Sequence, residues 1–173
     1  RAKARMKGAL EYGASTLGVM NTKILNNTFE NVYWSSIYSY YADGLDFSGN
    51  TADMTQRGYA TAYGAYLYYN ENLLFAANNL KSLGYGVYHY NLTDYYKKTR
   101  KNRYVNNMIY SANNYGAYLY YVDSVDIIHN TIVSGSATIP ASQVYSSTSK
   151  TIEDYDVRNN IIYSSGSFAI RTN

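Results

Sequence analysis

Six times along this chain an asparagine stands three residues after an apolar residue and two residues before another small or apolar one. The copies are Ile24 to Phe29, Phe47 to Ala52, Phe75 to Leu80, Tyr104 to Ile109, Ile127 to Ile132 and Val157 to Ile162, centred on Asn27, Asn50, Asn78, Asn107, Asn130 and Asn160. The steps between these asparagines are 23, 28, 29, 23 and 30 residues, a period that calls for a stacked repeat architecture. Asparagine tolerates tight bends, and the same residue in successive coils can form a ladder of amide hydrogen bonds. All six are therefore expected to be structural.

A second phrase follows each asparagine. Its best copies are Gly64-Ala65-Tyr66-Leu67-Tyr68 and Gly116-Ala117-Tyr118-Leu119-Tyr120, with Gly86-Val87-Tyr88-His89-Tyr90 between them. Ser36 to Tyr41 is a looser copy and Ser167 to Arg171 a degenerate one. Strand side chains alternate between faces, so Ala65, Leu67, Val87, Ala117, Leu119, Phe168 and Ile170 are expected inside. Tyr38, Tyr40, Tyr66, Tyr68, Tyr88, Tyr90, Tyr118 and Tyr120 are expected outside. A third strand leads into each asparagine, as in Leu45-Asp46-Phe47 and Val125-Asp126-Ile127. Each turn then has up to three short inward-facing strands, stacked about 4.8 Å apart.

These two phrases resemble the repeats of right-handed parallel β-helix proteins of the pectate-lyase-like kind, over residues 21–173. The resemblance implies an all-β solenoid of about six coils. It leaves activity open, because that family spans polysaccharide lyases and hydrolases, uronan epimerases, phage tailspikes and bacterial surface adhesins. Residues 1–20 are expected to be an N-terminal cap, with a short helix over 1–12, or the end of a preceding coil. Residue 1 is Arg and nothing after Asn173 reads as a cap, so the chain is expected to be a segment of a longer polypeptide.

Composition narrows the function classes. The chain has 173 residues, 24 of them tyrosine, and no cysteine, which removes disulfides, thiolate catalysis and cysteine metal sites. No apolar run approaches the roughly 20 residues that span a bilayer, so no membrane insertion is expected. The formal charge of +3 is concentrated: Arg1, Lys3, Arg5 and Lys7 form one basic cluster, and Lys97, Lys98, Arg100, Lys101 and Arg103 another. Elsewhere 6 basic residues face 12 acidic ones, so a general nucleic-acid footprint is missing.

The second basic cluster lies in an insertion, residues 91–103, with Tyr95 and Tyr96 beside the cations. Aromatic rings and cations together suit an acidic glycan. Resemblance to the lyases would make Lys97, Lys98, Arg100, Lys101 or Arg103 the base that abstracts a proton alpha to a uronate carboxylate, with calcium as the only cofactor implied. Acidic residues are scattered, no adjacent acid pair is apparent in equivalent coils, and no metal site is expected. His89 falls at an inward position and His129 one residue before Asn130, both as structural residues. Of two glycosylation sequons, Asn26-Asn27-Thr28 lies in a coil corner and Asn91-Leu92-Thr93 on a predicted loop.

The leading expectation is a non-catalytic β-helix segment of a secreted or cell-surface protein. It would bind a polysaccharide or cell-surface glycan through tyrosines 66, 68, 88, 90, 118 and 120, with Tyr95 and Tyr96. One alternative is a polysaccharide lyase on an acidic glycan. Another is a filament or spacer in which the tyrosines pack against neighbouring chains.

Overall fold

The computed structural model describes residues 9–12, 19–56, 59–91, 101–146 and 153–173; for 9–12 only the backbone is described. Among these residues every strand pairing is parallel, and there is no helix. The tyrosine sheet has seven strands: Ala9–Tyr12, Ile37–Tyr40, Tyr63–Tyr68, Tyr85–Tyr90, Ala117–Tyr120, Ser142–Tyr145 and Ile170–Thr172. A second sheet of six runs through Lys23–Leu25, Asp46–Ser48, Leu74–Ala76, Asn102–Val105, Val125–Ile128 and Tyr155–Arg158. The third, also of six, holds Thr28–Phe29, Thr51–Asp53, Asn79–Ser82, Met108–Ser111, Thr131–Ser134 and Ile161–Ser164. Val19–Met20 and Ala42–Asp43 form a small fourth pairing. Each coil thus pairs with the next, and a coil cannot bury its apolar side without a neighbour.

The core is built from columns of equivalent residues. Phe47 and Phe75 stack at 5.3 Å, and Tyr104 continues that column 5.4 Å beyond Phe75. Leu67 and Leu119 flank His89, while Leu80, Ile109 and Ile132 fill the third sheet, all buried. The glycine of the tyrosine phrase is a packing requirement: a Cβ on Gly86 would run into the Gly116 carbonyl of the next coil and the Ile109 side chain.

At the corner between the second and third sheets the six asparagines form one continuous ladder. In every step the backbone N–H and the side-chain Nδ2 both donate to Oδ1 of the next asparagine, at 2.7–3.2 Å from Asn27 through Asn160. Nδ2 of Asn50, Asn78, Asn107 and Asn130 also donates to a carbonyl of the second sheet, each at 2.8 Å. The left-handed turn is made one residue earlier than the sequence suggested. Asn26, Gly49, Ala77, Asn106, His129 and Asn159 carry the positive φ, between 53° and 68°, and leave the ladder residue free to bond inward.

Four other expectations are corrected. Residues 9–12 are strand, in register with Ile37–Tyr40, so a helix does not extend to residue 12. Ile170 and Thr172, rather than Phe168 and Ile170, stand in the Ala117 and Leu119 columns; Phe168 is 66% exposed. The strand Ser142–Tyr145 escaped notice because it lacks the Gly-aliphatic-Tyr phrase. Asn91, Asn102 and Arg103 belong to the stack and not to a loop: Asn91 and Asn102 are buried. Asn91 Nδ2 donates to the Asn70 carbonyl at 2.7 Å, so the acceptor of this sequon is engaged by the fold.

Candidate functional site: the tyrosine face

The outer side of the tyrosine sheet is tiled with phenol rings, because strand alternation turns every second residue out and the parallel register puts like on like. Tyr38, Tyr66, Tyr88 and Tyr118 form one ladder, with ring centroids 5.2, 5.1 and 5.5 Å apart and planes within 28°. Tyr40, Tyr68, Tyr90, Tyr120 and Tyr145 form a second, at 5.0, 4.6, 5.0 and 5.0 Å. The six sequence-predicted tyrosines 66, 68, 88, 90, 118 and 120 are therefore brought together. Tyr95 and Tyr96, like Lys97, Lys98 and Arg100, lie outside the described residues.

Sequence reasoning missed two further columns. Tyr63, Tyr85 and Tyr115 stack at 5.0 and 5.9 Å. Simple alternation would have put Tyr63 inside, but Gly64 and Ala65 are both buried, so the alternation slips by one residue there. Tyr41 and Tyr69 stack at 4.7 Å at the sheet's far edge, and both, with Tyr121, have positive φ. Trp34, the chain's single tryptophan, closes one end within 5.3–5.5 Å of Tyr38, Tyr63 and Tyr66.

As far as Tyr118 in one ladder and Tyr90 in the other, ring faces lie against ring faces, so these stretches offer solvent mainly ring edges and hydroxyls; Tyr120 and Tyr145 are turned 60° and 61° from the preceding ring. The five strands from Ile37–Tyr40 to Ser142–Tyr145 contain no Asp, Glu, Lys or Arg. Burial among neighbouring rings pushes the Tyr40, Tyr66 and Tyr118 phenols up to about 12, so they remain protonated at neutral pH. The face is thus aromatic, hydroxyl-bearing and uncharged. Past Tyr118 the same column ends in Gln143 and Arg171.

The basic candidates behave differently. Lys101 Nζ lies 3.1 Å from Asp126 and 3.2 Å from Asp154, whose carboxylates hold the ammonium above its ordinary value. A group held protonated is a poor base. Arg103 is an exposed residue of strand Asn102–Val105, in register with Asp126. Acid pairs do occur in equivalent coils, contrary to the sequence reading: Asp126 aligns with Asp156, and Asp43 bridges to Glu71. Asp126 is bound to Lys101 and Asp156 to Arg158 at 2.7 Å. Among the described residues no group of three or more metal-ligating His, Asp or Glu side chains comes together.

Beneath the tyrosine face lies a buried polar group. His89 Nδ1 accepts from the Tyr104 hydroxyl at 2.6 Å, and Nε2 donates to the Asn70 carbonyl at 3.3 Å, which fixes the neutral tautomer. Asn70 in turn donates its backbone N–H to Asn91 Oδ1 at 2.9 Å and accepts from Ser39. Complete burial pushes the imidazole down to about 4. His89 and Tyr104 each replace an apolar residue of their column in the same coil, a signal present in the sequence.

No curated protein and no solved structure matches this chain. A family model described as a right handed beta helix region matches residues 3–132, most of the chain. With its parallel sheets and once-per-coil ladders, the chain belongs to the right-handed β-helix family.

Proposed function

We propose that this chain is a non-catalytic binding module that acts outside the cell and receives an extended, uncharged polysaccharide along its tyrosine face. The observation that carries this reading is the set of parallel tyrosine ladders on five consecutive strands without a charged residue. Ladder rungs recur about every 4.8 Å along the axis, close to the length of one pyranose ring. A sugar chain lying along the axis would therefore meet a similar row of hydroxyls and ring edges at each residue. Neutrality favours a neutral glycan over the acidic one suggested by the basic insertion.

Size argues against a sister chain as the occupant. From Tyr40 to Tyr145 the face runs four rungs, about 19 Å, and across a strand such as Tyr63–Tyr68 about 20 Å. That gives roughly 400 Å² per partner, half of the roughly 800 Å² that a stable protein interface buries on each side. A linear ligand needs no such area.

Retention on cellulose, chitin and xylan, compared with alginate, pectin and glycosaminoglycans, tests the proposal. We expect retention on a neutral β-linked glycan, insensitive to salt, and lowered at least tenfold when Tyr66, Tyr88 and Tyr90 are changed together to Ser. Equal retention by that variant, or none by the parent, overturns it. Appearance of unsaturated-product absorbance on the acidic polymers, with or without calcium, would instead establish the lyase reading.

A further inference from the structure

A chain without cysteine has no disulfide route for tying one coil to the next. The ladders supply another. Tyr66 and Tyr88 lie with centroids 5.1 Å apart and planes 13° from parallel; Tyr68 and Tyr90 lie at 4.6 Å and 24°; Tyr40 and Tyr68 at 5.0 Å and 12°. Each pair comes from neighbouring coils, and each ring is half-buried, with the hydroxyl and its flanking ortho carbons at the end of the side chain furthest from the backbone.

We propose that ladder tyrosines of successive coils are a covalent modification site, coupled ring to ring into dityrosine by a one-electron oxidant of the peroxidase class. Each phenol loses one electron and one proton. The two phenoxyl radicals form a carbon–carbon bond between ortho positions, and each ring then moves the displaced hydrogen to its oxygen and regains aromaticity. The protein gives up two electrons and two protons, which convert one hydrogen peroxide into two waters through the peroxidase. Because the phenols of Tyr66 and Tyr118 stay protonated, electron and proton leave together.

What distinguishes a ladder from ordinary exposed tyrosine is the waiting partner. Tyr163 is 59% exposed, yet Val133 separates it from Tyr110 in its own column, and among the described residues no ring packs against it. Exposure alone predicts coupling at Tyr163 and covalent dimers. Proximity predicts bridges inside one molecule.

Trypsin separates the two outcomes, since Lys81 lies between Tyr66 and Tyr68 on one side and Tyr88 and Tyr90 on the other. Dilute protein treated with a haem peroxidase and hydrogen peroxide should gain dityrosine fluorescence while remaining a monomer under denaturing conditions. The peptides flanking Lys81 should appear joined, lighter by two hydrogens per bridge. Tyr63 and Tyr85, stacked at 5.0 Å, also straddle Lys81, so replacing Tyr85, Tyr88 and Tyr90 together by Phe, which keeps the stacked rings, should lower that joined peptide at least tenfold; Tyr163→Phe should leave it unchanged. Covalent dimers as the main product, bridges through Tyr163, no dityrosine, or an undiminished yield in the Phe variant would each overturn the proposal.

Discussion

The asparagine corner and the tyrosine face arise by the same operation, one residue type repeated once per coil in parallel register. They differ in what the repetition leaves over. Each interior asparagine spends its carbonyl and both amide hydrogens on the ladder and on a carbonyl beside it, within buried surroundings. The tyrosines engage one another mainly through their rings, with some hydroxyls paired to a neighbouring tyrosine, and the rings of the two long ladders stay half-exposed. Identical periodicity therefore marks structure where the repeated group is exhausted, and a candidate binding surface where it is not.

The largest expected effect breaks the first ladder. Asn107→Ala removes the acceptor of the Asn78 N–H and Nδ2, both at 3.0 Å, and the donor to Asn130 Oδ1 and the Phe75 carbonyl. Two orphaned buried donors at about 1–3 kcal/mol each make a loss of about 4 kcal/mol in urea unfolding the expected result. A loss under about 1 kcal/mol would mean that water replaces the ladder bonds and that the asparagines are less structural than argued.

His89 tests the same buried interior with a group that can take a charge. Its folded pKa of about 4 lies below the ordinary 6.5. The unfolded chain therefore binds the extra proton first as pH falls. The stability contribution is complete above 6.5 and is lost as pH falls from 6.5 through about 4, up to about 3 kcal/mol. The titratable group facing the ring is Tyr104, which burial holds protonated throughout this window. His89→Leu, matching Leu67 and Leu119 in its column, should flatten the denaturation midpoint between pH 7 and 4. An unchanged acid slope in that variant places the sensitivity elsewhere.

On the tyrosine face the expected order of effects reverses. Tyr88→Phe keeps the ring between Tyr66 and Tyr118 and should shift unfolding by less than about 1 kcal/mol, since the stack is retained and one half-buried neutral hydroxyl is lost. The same change should weaken glycan retention several-fold. Loss of stability without loss of binding would make this ladder a packing device like the other.

The comparison also explains what could be read in advance. The six-fold asparagine spacing and the outward tyrosines 66, 68, 88, 90, 118 and 120 were legible because parallel stacking converts sequence period directly into spatial columns. Tyr63, Tyr85 and Tyr115 were not, because a slip at a buried glycine breaks the alternation that sequence reasoning depends on. Ser142–Tyr145 carried too little of the repeated phrase, with Gln143 where the four strands before it have tyrosine. The His89 to Tyr104 contact joins residues on two sheets of the coil and needs the inward geometry of both. The charge engagement of Lys101 depends on Asp126 and Asp154, 25 and 53 positions along the chain.

The smallest effect concerns the turn that precedes each ladder asparagine. At five of its six positions this column holds Asn, His or Gly, residues that enter the left-handed region readily; Ala77, at φ 53°, is the exception. An alanine there costs about 1–2 kcal/mol relative to right-handed backbone. Glycine removes that cost but loses about 0.5–1 kcal/mol more backbone entropy on folding. The difference favours glycine by about 0.5 kcal/mol, and since Ala77 is exposed, no packing is lost. Ala77→Gly should therefore raise the thermal midpoint by about 1–2 °C for a chain of this length, whereas Ala76→Gly, one residue earlier inside the strand Leu74–Ala76, should lower it. If both lower it, the corner tolerates alanine without strain, and the asparagine ladder, not the turn residue, sets the local geometry.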